Sequence, residues 1–296
     1  MGITGDWRQR RTRRYLLHAL EIVERRALFR DTVDWPEVRA EAVAACAGAV
    51  AYADTHQTLK AVAKRAGGMH SGLRPPKPSG AWGGATMPSG EVVDGIGRLR
   101  LPSCGGGART YRDTGHRLMR DLTAAGPHGW VVDLRGNQGG NMWPMLSVAG
   151  SLLPDGVLGY FVPPAGPDLE WRVRDGRVLL DNRRVRFGAR TTARTIGPHR
   201  PDVPVAVLTD GQTGSSGEAV AVAFRGRPDV RTFGSETAGM TSSNETYQLR
   251  DGALLSVTAS WFADHHHTVH RGPLQPDESG GTDPLAAAVD WIRRAR

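Results

Sequence analysis

The sequence predicts an α/β fold: a mainly parallel sheet with an added antiparallel portion, and a helical region in front of it. Three observations lead there. Two segments, GWVVDLRGNQGGNM at 129–142 and VPVAVLTDGQTGSSGEAVAVAF at 203–224, each pass from an apolar strand-like stretch through a turn of small residues into a helix-like stretch. The first 80 residues instead repeat apolar side chains at helical spacing. From 230 to 262 strand-like stretches follow one another with no helix between them, the pattern of antiparallel pairing.

In chain order, Leu16, Leu17, Leu20, Ile22 and Val23 form one helical run, and Val38, Val43 and Val50 belong to another. The second starts at Asp34 or Trp35, because Pro36 suits a first helical turn, where its missing N–H costs nothing. The proline- and glycine-rich stretch RPPKPSGAWGGATMPSG at 74–90 ends the helical part and separates a helical domain, 1–80, from an α/β domain, 81–296. Beyond it come a strand in GIGRLRLPS (95–103), a helix over Tyr111–Ala125, the strand WVVDL (130–134) and a helix over Met142–Leu153. Positions 157–200 read as short strands and turns, with Asp-Gly-Arg at 175–177 turning a hairpin. PVAVLT (204–209), the helix after Ser215, VRTFG (230–234), ETYQL (245–249), ALLSVTASWF (253–262) and a helix from Pro284 complete the series. The sequence contains no internal repeat.

Composition narrows the function classes. A chain of 296 residues with 39% apolar content can bury a proper core. The net charge of +8 is an arginine surplus, since lysine occurs only at Lys60, Lys64 and Lys77, so basicity alone does not identify an acidic partner. Arg10, Arg11, Arg13 and Arg14 lead directly into a helix without interleaved aromatics or a zinc pattern, and no nucleic-acid partner is expected. No stretch approaches the roughly 20 apolar residues of a membrane span, and YLLHALEIVERRALF is broken by charges too early for a secretory core. Cys46, in a helical segment, and Cys104, in a glycine-rich turn, give no disulfide framework, which fits a reducing compartment. A cytoplasmic location is expected.

The chemistry concentrates at Ser215, which lies between Gly214 and Gly217, followed by Ser216, just ahead of an alanine- and valine-rich helix. A helix amino end favours developing negative charge, a setting that suits a serine nucleophile. Ser215 and Glu218 also have the spacing of a capping box, which by itself would account for both residues. RGNQGG lacks the G-x-G-x-x-G spacing and a closing lysine, so it reads as a turn exposing the amides of Gly139 and Gly140 rather than a phosphate cradle. A serine nucleophile needs a base. With no lysine after Lys77, the ten histidines are the main candidates, and His70 in GGMHSGL sits on a loop between a helix end and the proline-rich stretch. Asp264, His265, His266, His267 and His270 cluster after a strand with no second ligand group nearby in sequence, so no metal and no cofactor are expected.

Taken together, DLRGNQGG, TGSSGEA, GSETAGMTSSNETYQLRDGALLSVT and PLQPDE resemble the carboxy-terminal processing, or tail-specific, serine peptidases, in particular their nisin-resistance protein branch. GGMHSGL resembles the segment bearing the catalytic histidine in the branch that uses a Ser-His pair, and DTVDW resembles its helical amino-terminal region. The resemblance implies a crotonase-like core of mixed parallel and antiparallel strands with packed helices, preceded by a helical cap. It implies Ser215 as nucleophile, His70 as general base, and an oxyanion hole from the amide of Ser216 and one from Gly139 or Gly140. Met240 stands where lysine-dyad members carry their lysine, and the interval from His70 to Gly95 has no room for a PDZ domain. Nisin-resistance proteins look membrane-anchored, whereas this chain shows no anchor.

The expected partner is a peptide or unfolded protein tail held in a groove, with Arg135 and Met240 facing it; Trp82, Trp143, Trp171 and Trp261 either line it or, as is more usual for tryptophan, pack in the core or at the rim. The expected function is a serine peptidase acting near a carboxyl end through a Ser-His dyad and an acyl-enzyme. Two alternatives remain: a non-catalytic binder of an apolar ligand on the same fold, and an acyl-transfer enzyme maturing a modified peptide.

Overall fold

The computed structural model describes residues 3–76, 86–181, 183–184 and 203–295. Lys77, Trp82, the boundary at 80/81 and the final part of the 157–200 stretch lie outside them. The elements in chain order are α1 (Ile3–Arg26), α2 (Trp35–Ala45), α3 (His56–Gly67), β1 (Gly72–Arg74), β2 (Ser89–Val93), β3 (Ile96–Arg100), α4 (Ala108–Ala124), β4 (Gly129–Asp133) and α5 (Met142–Ala149). They continue with β5 (Gly156–Val162), β6 (Leu169–Arg174), β7 (Arg177–Leu180), β8 (Arg183–Arg184), β9 (Val205–Thr209), α6 (Ser216–Phe224) and β10 (Val230–Gly234). Last come β11 (Ser242–Gln248), β12 (Leu254–Asp264), β13 (Val269–His270) and α7 (Pro284–Arg294). The protein is a mixed α/β molecule.

The chain divides into two compact units. The first comprises Met1–Ala81, Pro163–Gly166 and Ser242–Ser260, so the helical segment shares its unit with β11 and the first part of β12. Its core is built by α1 through Tyr15, Leu16, Ala19, Leu20 and Val23, which recur at the spacing that puts them on one helical face. Leu59, Val62, Ala63 and Ala66 of α3 and Leu73, Leu255 and Val257 of the strands join the same cluster. Asp34 caps α2 by accepting from Glu37 N at 3.0 Å, with Pro36 in the first turn as the sequence predicts. Gly68 (φ +77) closes α3, and β1 pairs antiparallel with β12 through Gly72 and Ser256.

The second unit comprises Trp82–Val162, Pro167–Thr241 and Trp261–Arg296. One of its sheets has the order β10-β9-β4-β3-β2, with the first four strands parallel and β2 antiparallel at the edge. All five residues of β9 are buried, because both faces of the sheet are covered. Val132 and Val207 join the large core that includes α5 and α6, while Val131, Ala206 and Leu208 pack with Ala288, Val289 and Ile292 of α7. VRTFG, expected in the antiparallel portion, is β10, and it extends the parallel sheet beside β9. The end of β12 pairs antiparallel with β5, followed by β6, β7 and β8. The predicted hairpin joins β6 to β7: Asp175 and Gly176 both have positive φ, the primed turn that matches strand twist.

Trp171 takes the second of the two places open to it. It is fully buried, stacked on Phe161 at 5.9 Å and edge-on to Phe262 at 6.5 Å, so it is core rather than groove lining.

Candidate functional site

In the second unit, β4 and β9 lie side by side and deliver the turns that follow them to the same end of the sheet. These are the 134–141 turn before α5 and the 210–215 turn before α6. Gly214 N donates to Asn137 O at 2.9 Å, and Ser216 Oγ donates to Gly140 O at 2.6 Å. A Cβ on Gly139 would stand 2.9 Å from Ser215 Cβ, Ser216 N and Gly214 O, so that position admits only glycine.

Ser215 has φ 52 and ψ −117, a strained backbone for a residue with a side chain. Its amide donates to Glu218 Oε2 at 2.7 Å, but its hydroxyl makes no capping hydrogen bond to the helix. The structural role that the capping-box spacing suggests for Ser215 is therefore only half taken up, by Glu218. Glu218 is fully buried and also accepts from Thr237 Oγ1 at 2.5 Å and Gly239 N at 2.9 Å. Burial raises its pKa, and these hydrogen bonds oppose the rise.

The glycine amides differ. Gly139 N donates to Asn137 Oδ1 at 2.9 Å, whereas the amides of Gly140 and Ser216 have no hydrogen-bond partner among the described residues. Asn137 is fully buried, and its Nδ2 donates to Leu101 O at 2.8 Å. Sequence reasoning missed its role, although the signal was there: an asparagine two residues before a glycine is the spacing of an Asx turn. Cys104, whose carbonyl accepts from Asn141 N, has its thiol pushed up to about 11 by burial and is no nucleophile at neutral pH.

Arg135 pairs with the acid two residues before it. Its Nε and Nη2 donate to the Asp133 carboxylate at 2.9 and 2.8 Å, bracing the turn. Met240 is exposed, directly after the glycine that Glu218 holds.

His70 belongs to the first unit, on the turn between α3 and β1. Its Nδ1 lies 2.9 Å from Ser242 Oγ, and its carbonyl accepts from Asn244 Nδ2 at 3.0 Å, so two residues of β11 hold ring and backbone. Its Nε2 has no hydrogen bond among the described residues. Burial lowers its pKa below the ordinary imidazole value. Ser71 Oγ, next in the chain, donates to Thr258 Oγ1, which donates to Asn244 Oδ1, both at 2.8 Å.

The histidine cluster forms local pairs instead. His270 Nε2 lies 3.3 Å from Asp264 Oδ2, and His267 Nε2 lies 2.7 Å from Asp168 Oδ2 with its ring stacked on Tyr160. Among the described residues no group of three or more histidine, cysteine or acidic side chains is arranged to hold a metal ion, and no helix is long and apolar enough to cross a membrane.

A family model described as peptidase family S41 matches residues 95–279. The nisin-resistance protein of Lactococcus lactis subsp. lactis is 30% identical over 95% of this chain and 86% of its own length. A carboxyl-terminal-processing protease of Synechocystis is 27% identical over 62% of this chain, a match that spans only 37% of that protein. Among solved structures, a lipoprotein from Streptococcus agalactiae superposes with a TM-score of 0.80 at 24% identity, covering 96% of this chain and 97% of that one. The photosystem II D1 C-terminal processing protease gives 0.58 at 14% identity, covering 93% and 94%.

Proposed function

This chain belongs to peptidase family S41 and is a serine-type peptidase, and we propose that it cleaves peptides or unfolded protein tails near the carboxyl end with Ser215 as nucleophile and His70 as general base. The backbone at Ser215 carries this reading. A serine held at φ 52, its hydroxyl unused by the helix cap, stands at the amino end of a buried helix beside two amides that have no partner among the described residues. The names of the relatives, which process carboxyl-terminal segments, support the substrate class. The choice of His70 rests on its open Nε2, on the neutrality that burial favours, and on a sequence with no lysine beyond Lys77. The finer fold we assign is a crotonase-like core with a helical cap and no PDZ module.

In the proposed reaction, Ser215 Oγ attacks the scissile carbonyl carbon while its proton passes to His70 Nε2. The oxyanion forms against the amides of Gly140 and Ser216; the amide of Gly139 is already committed to Asn137. His70 returns the proton to the amine as the C–N bond breaks, leaving an ester on Ser215. Water, deprotonated by His70, hydrolyses that ester and frees the acid. Met240 offers an apolar contact to a substrate side chain.

The test is turnover of a peptide set by mass spectrometry, together with labelling by a fluorophosphonate. Ser215→Ala should abolish both, His70→Ala should lower turnover by at least about 10³-fold, and the double variant should be no worse than the singles, since the pair acts as a unit. Normal turnover in His70→Ala would overturn the choice of base.

A further inference from the structure

Resting on the reading of His70 as base, we infer that Ser242 is a positioning residue of the reaction: its hydroxyl accepts from His70 Nδ1–H and so presents the Nε2 lone pair to the nucleophile. The two atoms are 2.9 Å apart, and Ser242 is buried at the start of β11. An imidazole carries one N–H when neutral, and whichever nitrogen holds it is fixed by the partner of that nitrogen. A hydroxyl serves either as donor or as acceptor, and the backbone must hold the ring beside it. It does: Asn244 Nδ2 fixes the His70 carbonyl, and Asn244 Oδ1 is fixed by Thr258, which Ser71 fixes in turn. Every polar side chain in that chain has a partner, so the histidine turn is held by satisfied bonds on β11 and β12.

A hydroxyl in this role differs from the carboxylate of a Ser-His-Asp triad. It orients the ring without adding negative charge to stabilise an imidazolium. The charged side chains on the surrounding elements do not substitute for one. Lys64 and Arg65 lie in the last turn of α3 and Arg74 on β1, while Glu245 on β11 is engaged by Arg26 at 2.8 Å. Burial alone lowers the pKa of His70. Burial without a carboxylate partner thus favours the neutral form of the base.

The experiment uses the full chain, with two readouts that do not depend on the natural substrate. The first is the rate of Ser215 labelling by a fluorophosphonate as a function of pH. The second is the tautomer of His70 by nitrogen-15 NMR of histidine-labelled protein, assigned by difference with His70→Gln. Wild type should show the Nδ1–H tautomer. Ser242→Ala should mix the tautomers and slow labelling about tenfold, the value of one buried neutral hydrogen bond, with the fold retained by circular dichroism. Ser242→Thr, which keeps the hydroxyl, should restore both within a few-fold. Ser242→Asp should move the acid limb of the labelling profile to higher pH, because a carboxylate favours the charged imidazole.

If Ser242→Ala labels at the wild-type rate with an unchanged tautomer while His70→Ala is inactive, the base assignment stands and the role of Ser242 falls. If His70→Ala labels as fast as wild type, both fall.

Discussion

Replacing Gly139 by alanine tests the contact between the two turns, and Gly136→Ala in the same turn supplies its control. Gly136 has φ +73, and a Cβ there would meet nothing within 4 Å. Its substitution therefore isolates the cost of a positive φ, about 1 kcal/mol, with its amide bond to Asp210 kept. Gly139 has φ +101, and its Cβ would stand 2.9 Å from Ser215 Cβ, Gly214 O and Ser216 N. Two of those three atoms are backbone and cannot swing aside. Relieving the overlap adds about 1–3 kcal/mol to a similar conformational cost, about 2–4 kcal/mol in all. The relief must come by moving the glycine turn off Ser215, and a shift near 1 Å costs on the order of 10²-fold in reactivity. Urea denaturation followed by tryptophan fluorescence, with fluorophosphonate labelling of the same samples, reads both effects. Equal stability of the two variants with wild-type labelling in Gly139→Ala would show that the turn does not rest on Ser215.

Three further outcomes are expected. Glu218→Gln should lower stability by about 2–4 kcal/mol, because an amide cannot accept from both Ser215 N and the Thr237–Gly239 pair, and a buried donor left facing it loses a charge-assisted bond; denaturation midpoints check this. Arg135→Gln should cost no more than about 1 kcal/mol, the ion pair with Asp133 being partly exposed, and should slow free-carboxylate and carboxyl-amidated peptides equally; a selective loss on the free-carboxylate peptide would show that the guanidinium reaches substrate. The labelling rate should fall to half at a pH below about 6.5, since burial lowers the pKa of His70 and keeps the base neutral to lower pH. By the same sign, the stability that neutral His70 contributes is present above its unfolded pKa and lost as pH falls through the lower folded value.

The elements legible in the sequence are those whose cause is local. β4 and β9 are continuous apolar runs because both of their faces are covered, and a run of that kind bounded by turn residues reads as a buried strand without further help. Asp34 with Pro36, and Asp175 with Gly176, carry their turn or cap chemistry in two or three residues. The placement of β10 was not legible, since VRTFG pairs with β9 and nothing in its five residues distinguishes a parallel neighbour from an antiparallel one. Trp171 likewise gave no sign of which face it occupies, because its surroundings, Phe161 and Phe262, come from other strands. The partner of His70 is the extreme case: Ser242 is brought to it by the pairing of β1 and β11 with β12, a long-range product of the fold.

The backbone of Ser215 shows why the site itself is only half readable. Its residue types mark a helix start, and a serine free to choose would sit there with negative φ and use its hydroxyl as a cap. The strained conformation costs on the order of 1–3 kcal/mol, so it persists only where the surroundings over-determine it. Bonds on both sides do so: Gly214 N is held by Asn137 O, Ser215 N by Glu218, Ser216 Oγ by Gly140 O, and Ser215 O by Ala219 N. The Asn137 and Gly140 bonds reach across to the turn after β4, roughly 75 positions away, and the Glu218 carboxylate is fixed in turn by Thr237 and Gly239. The hydroxyl left over by this arrangement is therefore a property of two turns joined through the sheet. A peptide of the 210–224 sequence alone lacks the bonds to Asn137, Gly140, Thr237 and Gly239, and its nine-residue helical part is too short to hold Ser215 in this conformation by itself.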